Sequence, residues 1–396
     1  MSRRPLRIAL VQTQAENAGA QEISRILARG LEARGHAVRQ IFFFRRTASF
    51  DAVENARVVC RTRPSSPWAV LGFLVRLRRM LREARPDVVL TFQHYGNVIG
   101  APVARAAGCR FVVANQVSAG AVVHPLVSWA DAVLGSLGFY GRIVINSDET
   151  AAAYSGHTRA YRRLIRHIDH GFEDKTASVP ARDARAALNL PQDVPLLGCA
   201  SRLHPMKQLD CAVRLLAIRP AYHLTIAGQG SDRDRLEQLA ATLGVTERLH
   251  FVGELDPGEI GVFLAGLDAF LHPSAAETFG LAPVEAAQAG VPVICNDIPV
   301  LREVLQTGGE PCALFADVQD PEALAGTVDS ILTDPVLADN LRARGRRLSE
   351  RYPVDAMIDD YARLIDELVG DGTSCASRSS SAGMPFGAGR SVSVND

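Results

Sequence analysis

The sequence predicts an α/β protein built from two doubly wound, parallel-sheet domains that face each other across a cleft. Three observations support this prediction. The chain has 396 residues, short β-branched runs alternate with helical-length segments, and these runs are apolar throughout. Strands that are apolar on both faces are typical of parallel sheets covered by helices on both sides. Ligands of such sheets bind at the carboxyl ends of the strands, so we expect function in the loops that follow them.

Residues 1–175 form the predicted N-terminal domain. Its strand candidates are Ile8–Val11, Val38–Phe44, Val88–Phe92, Phe111–Ala114 and Ile143–Ile145. Helical periodicity predicts helices over Ala20–Ala33 and Pro67–Ala84 between them.

Residues 190–352 form the predicted C-terminal domain. Its strand candidates are Leu196–Ala200, His223–Ala227, His250–Val252, Ala269–Leu271 and Pro292–Cys295, and its helix candidates are Gln208–Ala217, Arg233–Leu243, Leu281–Ala289 and Val300–Leu305. The polar stretch Gly171–Val194 is interpreted as the linker, because it carries two prolines. A last helix, Val354–Val369 within 353–370, is expected to cross back onto the N-terminal domain. The Gly- and Ser-rich residues 371–396 are predicted to be a disordered tail.

The composition indicates a globular protein, with 47% apolar and 22% charged residues. The seven cysteines are odd in number and form no C-x-x-C pair, which argues against a disulfide framework or a zinc site and favours the cytoplasm. The apolar run Arg7–Gln12 is too short for a signal peptide, and no stretch approaches the length of a membrane span. We therefore expect a cytoplasmic protein, with peripheral contact at the inner face of a membrane as an alternative.

The charges are unevenly distributed although the net charge is zero. Residues 1–180 contain 25 Lys and Arg against 13 Asp and Glu, and the remainder contains 18 against 30. A basic half suggests an anionic partner, namely a phosphate-bearing acceptor, an anionic lipid surface or nucleic acid. Alternatively, the two halves attract each other or the arginines only solubilise a surface. No aromatic platform interleaves with these arginines, which argues against nucleic acid.

The segment Pro67–Arg82 is basic and amphipathic. It could lie on an anionic membrane beside a lipid-linked acceptor. It could equally be the helix that covers the sheet before the strand Val88–Phe92, and this second interpretation is favoured.

Two cations follow the strand Leu196–Ala200, at Arg202 and Lys207. A strand-to-helix loop is where a diphosphate would lie, and a compact ammonium with a forked guanidinium suits a leaving phosphate. The alternative is a solvated loop with two unrelated cations. Lys207 is one of only two lysines in the chain, the other being Lys175.

A second motif, His272–Ala287, follows the strand Ala269–Leu271. Gly280 would let the backbone approach a ligand, and the free amides of a helix beginning near Leu281 can hold a phosphate. Glu277 and Glu285 flank this anion site, which makes sense if each carboxylate binds hydroxyl groups on either side of a diphosphate. The alternative is helix capping and ordinary surface acids.

These motifs resemble those of the family-4 glycosyltransferases of the GT-B fold. The pattern Glu277-x7-Glu285, preceded by Arg202, Lys207 and Gly228-Gln229-Gly230, carries the resemblance, which covers about residues 6–370. It implies two Rossmann-like domains, the first binding an acceptor and the second a nucleotide sugar.

The resemblance also implies roles for individual residues. Arg202 and Lys207 would neutralise the donor diphosphate, Glu285 would bind the ribose, and Glu277 a hydroxyl of the donor sugar. The segment Phe279–Leu281 would contact phosphate, Gly228 would lie beside the donor, and the loop near Leu255 would hold the base. Such enzymes retain anomeric configuration and require neither a metal nor another cofactor. Cell-surface polysaccharide or glycolipid assembly is their usual setting.

In the N-terminal domain, Gly19 lies in a first loop similar to that of the family, although the usual Gly-Gly pair is missing. His94 matches a histidine near the donor sugar, and a structural role is the alternative. Asn115-Gln116 and His170-Gly171 depart from the family pattern and leave the acceptor open.

Competing interpretations remain at this point. Asp232-x-Asp234 imitates a metal-binding motif, but it opens a helix, where acids favour the positive end, so no metal site is predicted. A sugar-nucleotide epimerase on the same scaffold, or a non-catalytic module that binds anions or nucleotides, are the alternative functions. The donor base and sugar stay open between UDP- and GDP-linked donors.

Overall fold

The computed structural model describes residues 4–117 and 123–380, and for 371–380 it describes the backbone alone. Two α/β domains are present, each built on a parallel sheet, and the predicted fold class is confirmed. Among the described residues, no helix combines the length and hydrophobicity that crossing a bilayer requires.

In the described part of the N-terminal domain the sheet has seven strands, in the order β3-β2-β1-β4-β5-β6-β7, and all neighbouring pairs are parallel. The strands are β1 Arg7–Ala15, β2 Ala37–Arg45, β3 Ala56–Cys60, β4 Val88–Phe92, β5 Phe111–Asn115, β6 Arg142–Ile145 and β7 Ile165–His167. The sequence did not predict the two edge strands, β3 and β7. Edge strands carry polar, exposed side chains, here Arg57 and His167, so they do not form apolar runs.

Helices cover both faces of this sheet. They are α1 Gly19–Ala33, α2 Pro67–Ala84, α3 Gln93–Ala106, α4 Pro125–Ser136, α5 Asp148–Ala153 and α6 Arg159–Arg162. Helix α1 packs on one face, whereas α2, α3 and α4 contribute to the core on the other face. A parallel sheet buried in this way places the carboxyl ends of its strands at a single edge, which faces the second domain.

In the described C-terminal domain the sheet has six parallel strands, in the order β10-β9-β8-β11-β12-β15. They are β8 Leu196–Ala200, β9 His223–Ala227, β10 Leu249–Gly253, β11 Ala269–His272, β12 Val293–Asn296 and β15 Leu314–Ala316, and an antiparallel pair, β13 Gln306–Thr307 and β14 Glu310–Pro311, lies outside the sheet. The helices are α7 Ala181–Ala187, α8 Leu209–Ile218, α9 Arg233–Leu243, α10 Ile260–Ala265, α11 Leu281–Gln288, α12 Pro299–Val304, α13 Pro321–Thr333, α14 Pro335–Arg346 and α15 Leu348–Arg351.

The segment interpreted as a linker contains a helix, α7, which the sequence did not predict. Pro180 is the N-cap residue of α7 and therefore begins the helix instead of breaking it. Arg185 of α7 donates to the carbonyl of Gly266 at 2.8 Å and pairs with Asp268 at 2.9 Å. Residues 181–187 therefore belong to the C-terminal domain.

The last helix, α16 Val354–Ser380, packs on the N-terminal domain. Gly30 of α1 allows this close packing. A Cβ atom at that position would lie 2.2 Å from Cδ1 of Ile358 in α16. Tyr361 donates to Asn115 at the end of β5 at 2.6 Å. Within the described residues the helix continues past the predicted end at Val369 to Ser380. The predicted disordered tail is thus helical over 371–380, and residues 381–396 lie outside the described residues.

Candidate active site

A cleft of about 990 Å³ lies between the carboxyl ends of the two sheets. The structure brings together in it all of the predicted site residues except His94: Gly19, Arg202, Lys207, Gly228, Leu255, Glu277, Phe279, Gly280, Leu281 and Glu285. They come from loops that are far apart in the sequence, so the topology of the two sheets creates the site.

The loop after β8 is held by the loop after β9. Leu203 donates its backbone N–H to the carbonyl of Gln229 at 3.1 Å. Gly228 has a φ of +134°, and a Cβ atom there would lie 2.0 Å from the carbonyl oxygen of Ser201. Only glycine permits this approach, because both the backbone angle and the space exclude a side chain. The two loops thereby fix the backbone that carries Arg202 and Lys207.

Lys207, Glu277 and His272 form a compact cluster, in which His272 is buried and the other two side chains are partly buried. The Nζ atom of Lys207 lies 2.5 Å from Oε1 of Glu277, and Nε2 of His272 lies 2.8 Å from the same oxygen. The backbone N–H of Ala275 donates to the carbonyl of Met206 at 2.9 Å and joins the two loops. One carboxylate oxygen therefore positions both the lysine and the histidine.

The cluster holds the carboxyl group of Glu277 ionised. Burial by itself raises the pKa of Glu277, but Lys207 and the hydrogen bond from His272 outweigh it, and the pKa lies well below its usual range. For His272, burial lowers the pKa, which favours the neutral imidazole. His272 is the first residue of the motif His272–Ala287, but the sequence did not indicate a role for it.

Arg202 lies in the same loop as Lys207 and is more exposed than Lys207. Its guanidinium is 3.9 Å from Oε1 of Glu16, and Arg46 approaches the other oxygen of that carboxylate at 3.3 Å. Burial raises the pKa of Glu16, and the two arginines oppose that shift. Sequence reasoning missed Glu16, although it directly follows the first strand, where a parallel sheet places functional side chains.

Glu285 lies in the second turn of α11, where burial raises its pKa to about 7, opposed by Lys175. Lys175 was interpreted as a linker residue, yet it lines the cleft, and its Nζ atom lies 3.2 Å from Oε1 of Glu22 and 3.8 Å from Oε2 of Glu173. Both lysines of the chain thus lie in the cleft. The scarcity of lysine was the one sequence signal for Lys175.

Helix α11 points its N-terminus into the cleft. Gly280, its N-cap residue, has a φ of +91°. The ring of Phe279 is buried 5.2 Å from His170 and 5.2 Å from Tyr352, so it anchors the loop that precedes the helix. The orientation of α11 directs the free amides of its first turn towards a bound anion.

The first loop of the N-terminal domain meets the loop after β10 across the cleft. The backbone N–H of Asn17 donates to Oε1 of Glu254 at 3.0 Å, and its side chain reaches the carbonyl of Leu255 at 3.4 Å. Gln229 also donates to Glu254. Glu254 was not predicted, and its position beside Leu255 makes it part of the same wall.

His94 is not among the described residues that line the cleft. It is buried, its Nε2 atom lies 3.3 Å from the hydroxyl of Tyr154, and burial lowers its pKa. Gln93 lines the cleft instead, in the left-handed region with a φ of +65°. Helix α3 begins at Gln93, directly after β4. Adjacent residues at a helix start point in different directions, so the side chain of Gln93 faces the cleft and that of His94 faces the interior.

The Asp232-x-Asp234 segment serves helix α9. Asp232 is buried and pairs with Arg235 at 2.6 Å. Among the described residues, no group of three or more His, Cys, Asp or Glu side chains could hold a metal ion.

Two parallel-sheet domains that enclose a cleft with these cations and carboxylates define the GT-B class of glycosyltransferase folds. The chain belongs to the family-4 glycosyltransferases of this class. Residues 18–182 match the family described as "Glycosyl transferase 4-like domain", and residues 181–348 match "Glycosyl transferases group 1".

Several characterised proteins are similar to the chain. The lipopolysaccharide core biosynthesis mannosyltransferase LpsB of Rhizobium meliloti is 26% identical over 243 residues, which cover 58% of this chain and 69% of LpsB. The O-antigen biosynthesis glycosyltransferase WclY of Escherichia coli is 31% identical over 191 residues, which cover 48% of this chain and 52% of WclY. The chain thus spans about half to two thirds of the length of these relatives.

Solved structures share the whole architecture. Anabaena Alr3699/HepE, in complex with UDP and glucose, has a TM-score of 0.78 at 19% identity and covers 91% of this chain and 99% of its own. WaaG, a glycosyltransferase involved in lipopolysaccharide biosynthesis, has a TM-score of 0.71 at 18% identity, covering 90% and 99%. At these identities the likeness supports the fold.

Proposed function

We propose that the protein is a retaining hexosyltransferase that uses a UDP- or GDP-linked sugar and glycosylates a glycan or a lipid-linked acceptor. The observation that carries this proposal is the joint placement of Arg202, Lys207, Glu277 and Glu285 around the N-terminus of α11 in one cleft. Two cations and a helix N-terminus suit a diphosphate, and the two carboxylates suit the hydroxyl groups on either side of it.

The donor would lie along the cleft in the C-terminal domain. Its diphosphate would bind between Arg202, Lys207 and the amides that follow Gly280. Glu285, at the start of the second turn of α11, would accept hydrogen bonds from the ribose diol, and the base would rest near Leu255. Glu277, which is held ionised by its two partners, would accept a hydrogen bond from a hydroxyl of the sugar.

The chemistry would rest on stabilising the leaving group. As the bond between the anomeric carbon and the diphosphate oxygen breaks, its electron pair moves onto that oxygen, and the added negative charge is largest in the transition state. Fixed cations aimed at this oxygen would stabilise the transition state more than the ground state. The acceptor hydroxyl would form the new bond on the same face, and its proton would pass to the departing diphosphate. No metal ion or other cofactor is required in this scheme.

The relatives suggest the biological setting. LpsB and WclY are named for lipopolysaccharide core and O-antigen biosynthesis, and both products are cell-surface glycans. The basic N-terminal domain fits an acceptor that carries phosphate or is attached to a lipid. We therefore place the protein in cell-surface polysaccharide or glycolipid assembly.

A screen of UDP- and GDP-sugars for slow hydrolysis without acceptor tests the proposal. We expect release of UDP or GDP from at least one donor, loss of this release in Lys207→Ala, and no change in Arg347→Ala, which replaces an exposed arginine of the C-terminal domain. NMR should show that the sugar released first has the same anomeric configuration as the sugar in the donor.

Other outcomes would contradict the proposal. Conversion of the donor to a different sugar nucleotide would indicate an epimerase, and tight donor binding without any bond cleavage would indicate a binding module. An inverted product anomer would refute retention but leave the transferase assignment intact.

A further inference from the structure

Helices α2, α3 and α4, which share one face of the N-terminal sheet, expose large apolar side chains. The exposed fraction is 82% for Trp68 and 66% for Trp129. The exposed set on the three helices is Trp68, Val70, Leu71, Val75, Tyr95, Leu126 and Trp129. Isolated exposed apolar residues need no explanation, but a set that spans three neighbouring helices marks an interaction surface.

Helix α2 has two apolar faces. Phe73, Leu77 and Leu81, spaced by four residues, are buried against the sheet. The second face consists of Trp68, Leu71 and Val75, at spacings of three and four, and it points away from the core. The sequence favoured α2 as a helix that covers the sheet, and its first face alone fulfils that role. Covering the sheet does not explain why the second face is apolar.

The apolar residues lie close to the mouth of the cleft. Helices of a parallel α/β domain run opposite to the strands, so their N-terminal ends lie at the same edge as the carboxyl ends of the strands. Gln93, the first residue of α3, and Arg63, just before α2, both line the cleft. The guanidinium of Arg63 lies 5.9 Å from the ring centroid of Tyr95. The exposed patch thus continues from the N-terminal wall of the cleft.

Positive charge lies on the same outer side. A groove on α2 is lined by Val75, Arg78, Arg79, Arg82 and Arg85, and Glu83 is the one acid among the described residues that line it. Arg82 lies seven residues after Val75, two helical turns along the same exposed face. Apolar side chains followed by arginines on one face are complementary to a bilayer surface, with acyl chains beneath anionic head groups.

We propose that the outer face of α2, α3 and α4 docks peripherally on an anionic lipid bilayer. The tryptophans and their apolar neighbours would enter the interface, while Arg78, Arg79 and Arg82 would bind head groups. This orientation turns the N-terminal side of the cleft towards the membrane, where it could receive a lipid-linked substrate. The docking surface lies wholly on the N-terminal domain and does not depend on the donor chemistry.

Co-sedimentation of the full chain with vesicles tests the docking surface. We expect binding to vesicles of mixed phosphatidylglycerol and phosphatidylcholine, weakening as salt rises, and little binding to phosphatidylcholine alone. The joint change of Arg78, Arg79 and Arg82 to Gln should lower the affinity about a hundredfold. The pair Trp68→Ser and Trp129→Ser should lower it about tenfold or more, since each tryptophan buries roughly 150–250 Å² when fully covered.

Val336→Ser is the matched control, because Val336 is equally exposed but lies on α14 of the C-terminal domain. Its binding should be unchanged, and thermal unfolding should show that all variants fold. Absence of binding at low salt, or binding that these N-terminal changes leave intact, would overturn the proposal. So would a native dimer that the tryptophan changes convert to a monomer, since the face would then pair with a second copy. Nucleotide release from a sugar donor, measured without vesicles, is expected to survive these changes, so a failure of docking is distinguishable from a failure of the proposed transferase.

Discussion

A Cβ atom on Gly19 would lie 2.6 Å from Cδ1 of Leu281. Gly19 begins the first helix of the N-terminal domain, and Leu281 begins α11, the helix that points its N-terminus into the cleft. The two domains therefore meet at the proposed phosphate site, and the missing side chain of Gly19 sets how closely they approach.

Replacing Gly19 by Val should separate the two walls and lower kcat/KM for the donor. A displacement of about 1 Å can cost roughly a hundredfold in rate, because the reacting groups lose their alignment. Gly19→Ala should have a smaller effect, since the tip of Leu281 can rotate away from one methyl group. Steady-state kinetics of the three proteins measure the difference.

The double variant Gly19→Val with Leu281→Ala provides the control. Removing the branched side chain that the new one meets should restore part of the lost kcat/KM. A double variant that is less active than both single variants would show that the contact does not limit domain approach.

The two cations should contribute to catalysis more than to binding. Arg202→Ala and Lys207→Ala are expected to lower kcat more than they raise the donor KM, because charge on the leaving diphosphate grows as the bond breaks. Loss of one preorganised charge contact costs about 3 kcal/mol, or roughly a hundredfold in kcat. Glu277→Ala should both lower kcat and raise the donor KM, because Glu277 would position the sugar itself.

Glu285→Ala should instead act mainly on the donor KM, since a ribose diol changes little during the reaction. All four variants are compared in kcat and donor KM after circular dichroism confirms that each is folded. An unchanged KM in Glu285→Ala, together with cation variants that alter KM alone, would reverse the assignment of roles.

Donor binding should depend on pH through Glu285. Burial raises the pKa of Glu285 to about 7, so ionisation of the carboxylate is incomplete near neutrality. Because the carboxylate is the stronger acceptor for a ribose diol, the donor KM should fall as the pH rises from about 6 to about 8. In Glu285→Gln this pH dependence should disappear, and its persistence would assign the titration to another group.

The same pKa shift predicts how stability changes with pH. Between the ordinary value of 4.5 and about 7, the folded protein retains a proton that the unfolded chain has released. The free energy of unfolding contributed by Glu285 therefore falls as pH rises through this window. Urea unfolding at about pH 5 and about pH 8 should show a smaller loss for Glu285→Gln than for the unchanged protein. Equal losses would indicate that Glu285 is ionised throughout.

Turnover should persist in EDTA. Arg202 and Lys207 are fixed cations that occupy the wall where a metal ion would otherwise neutralise the diphosphate. Rates are compared with EDTA and after adding Mg²⁺ or Mn²⁺ in excess. Complete loss in EDTA with recovery on adding either ion would contradict the proposed role of the two side chains.

The sequence predicted the strands that form the centres of both sheets, because central strands such as Val88–Phe92 are buried on both faces and appear as apolar runs. It did not predict edge strands such as Ile165–His167, in which no residue is fully buried and His167 is exposed. It also did not predict the short helix that follows Pro180, because proline is as compatible with a helix start as with a connecting segment.

For the site, the sequence by itself determined which residue types follow which strands, because each loop is local and its chemistry depends on a few neighbouring residues. Arg202, Lys207, Glu277 and Glu285 were identified in this way. Only the tertiary structure decided which of them meet. It joined Lys207 to Glu277 and His272, brought Lys175 from the linker into the cleft, and turned His94 into the interior. These relationships link residues on different strands or in different domains, and their distances follow from how the two sheets pack, which no local pattern encodes.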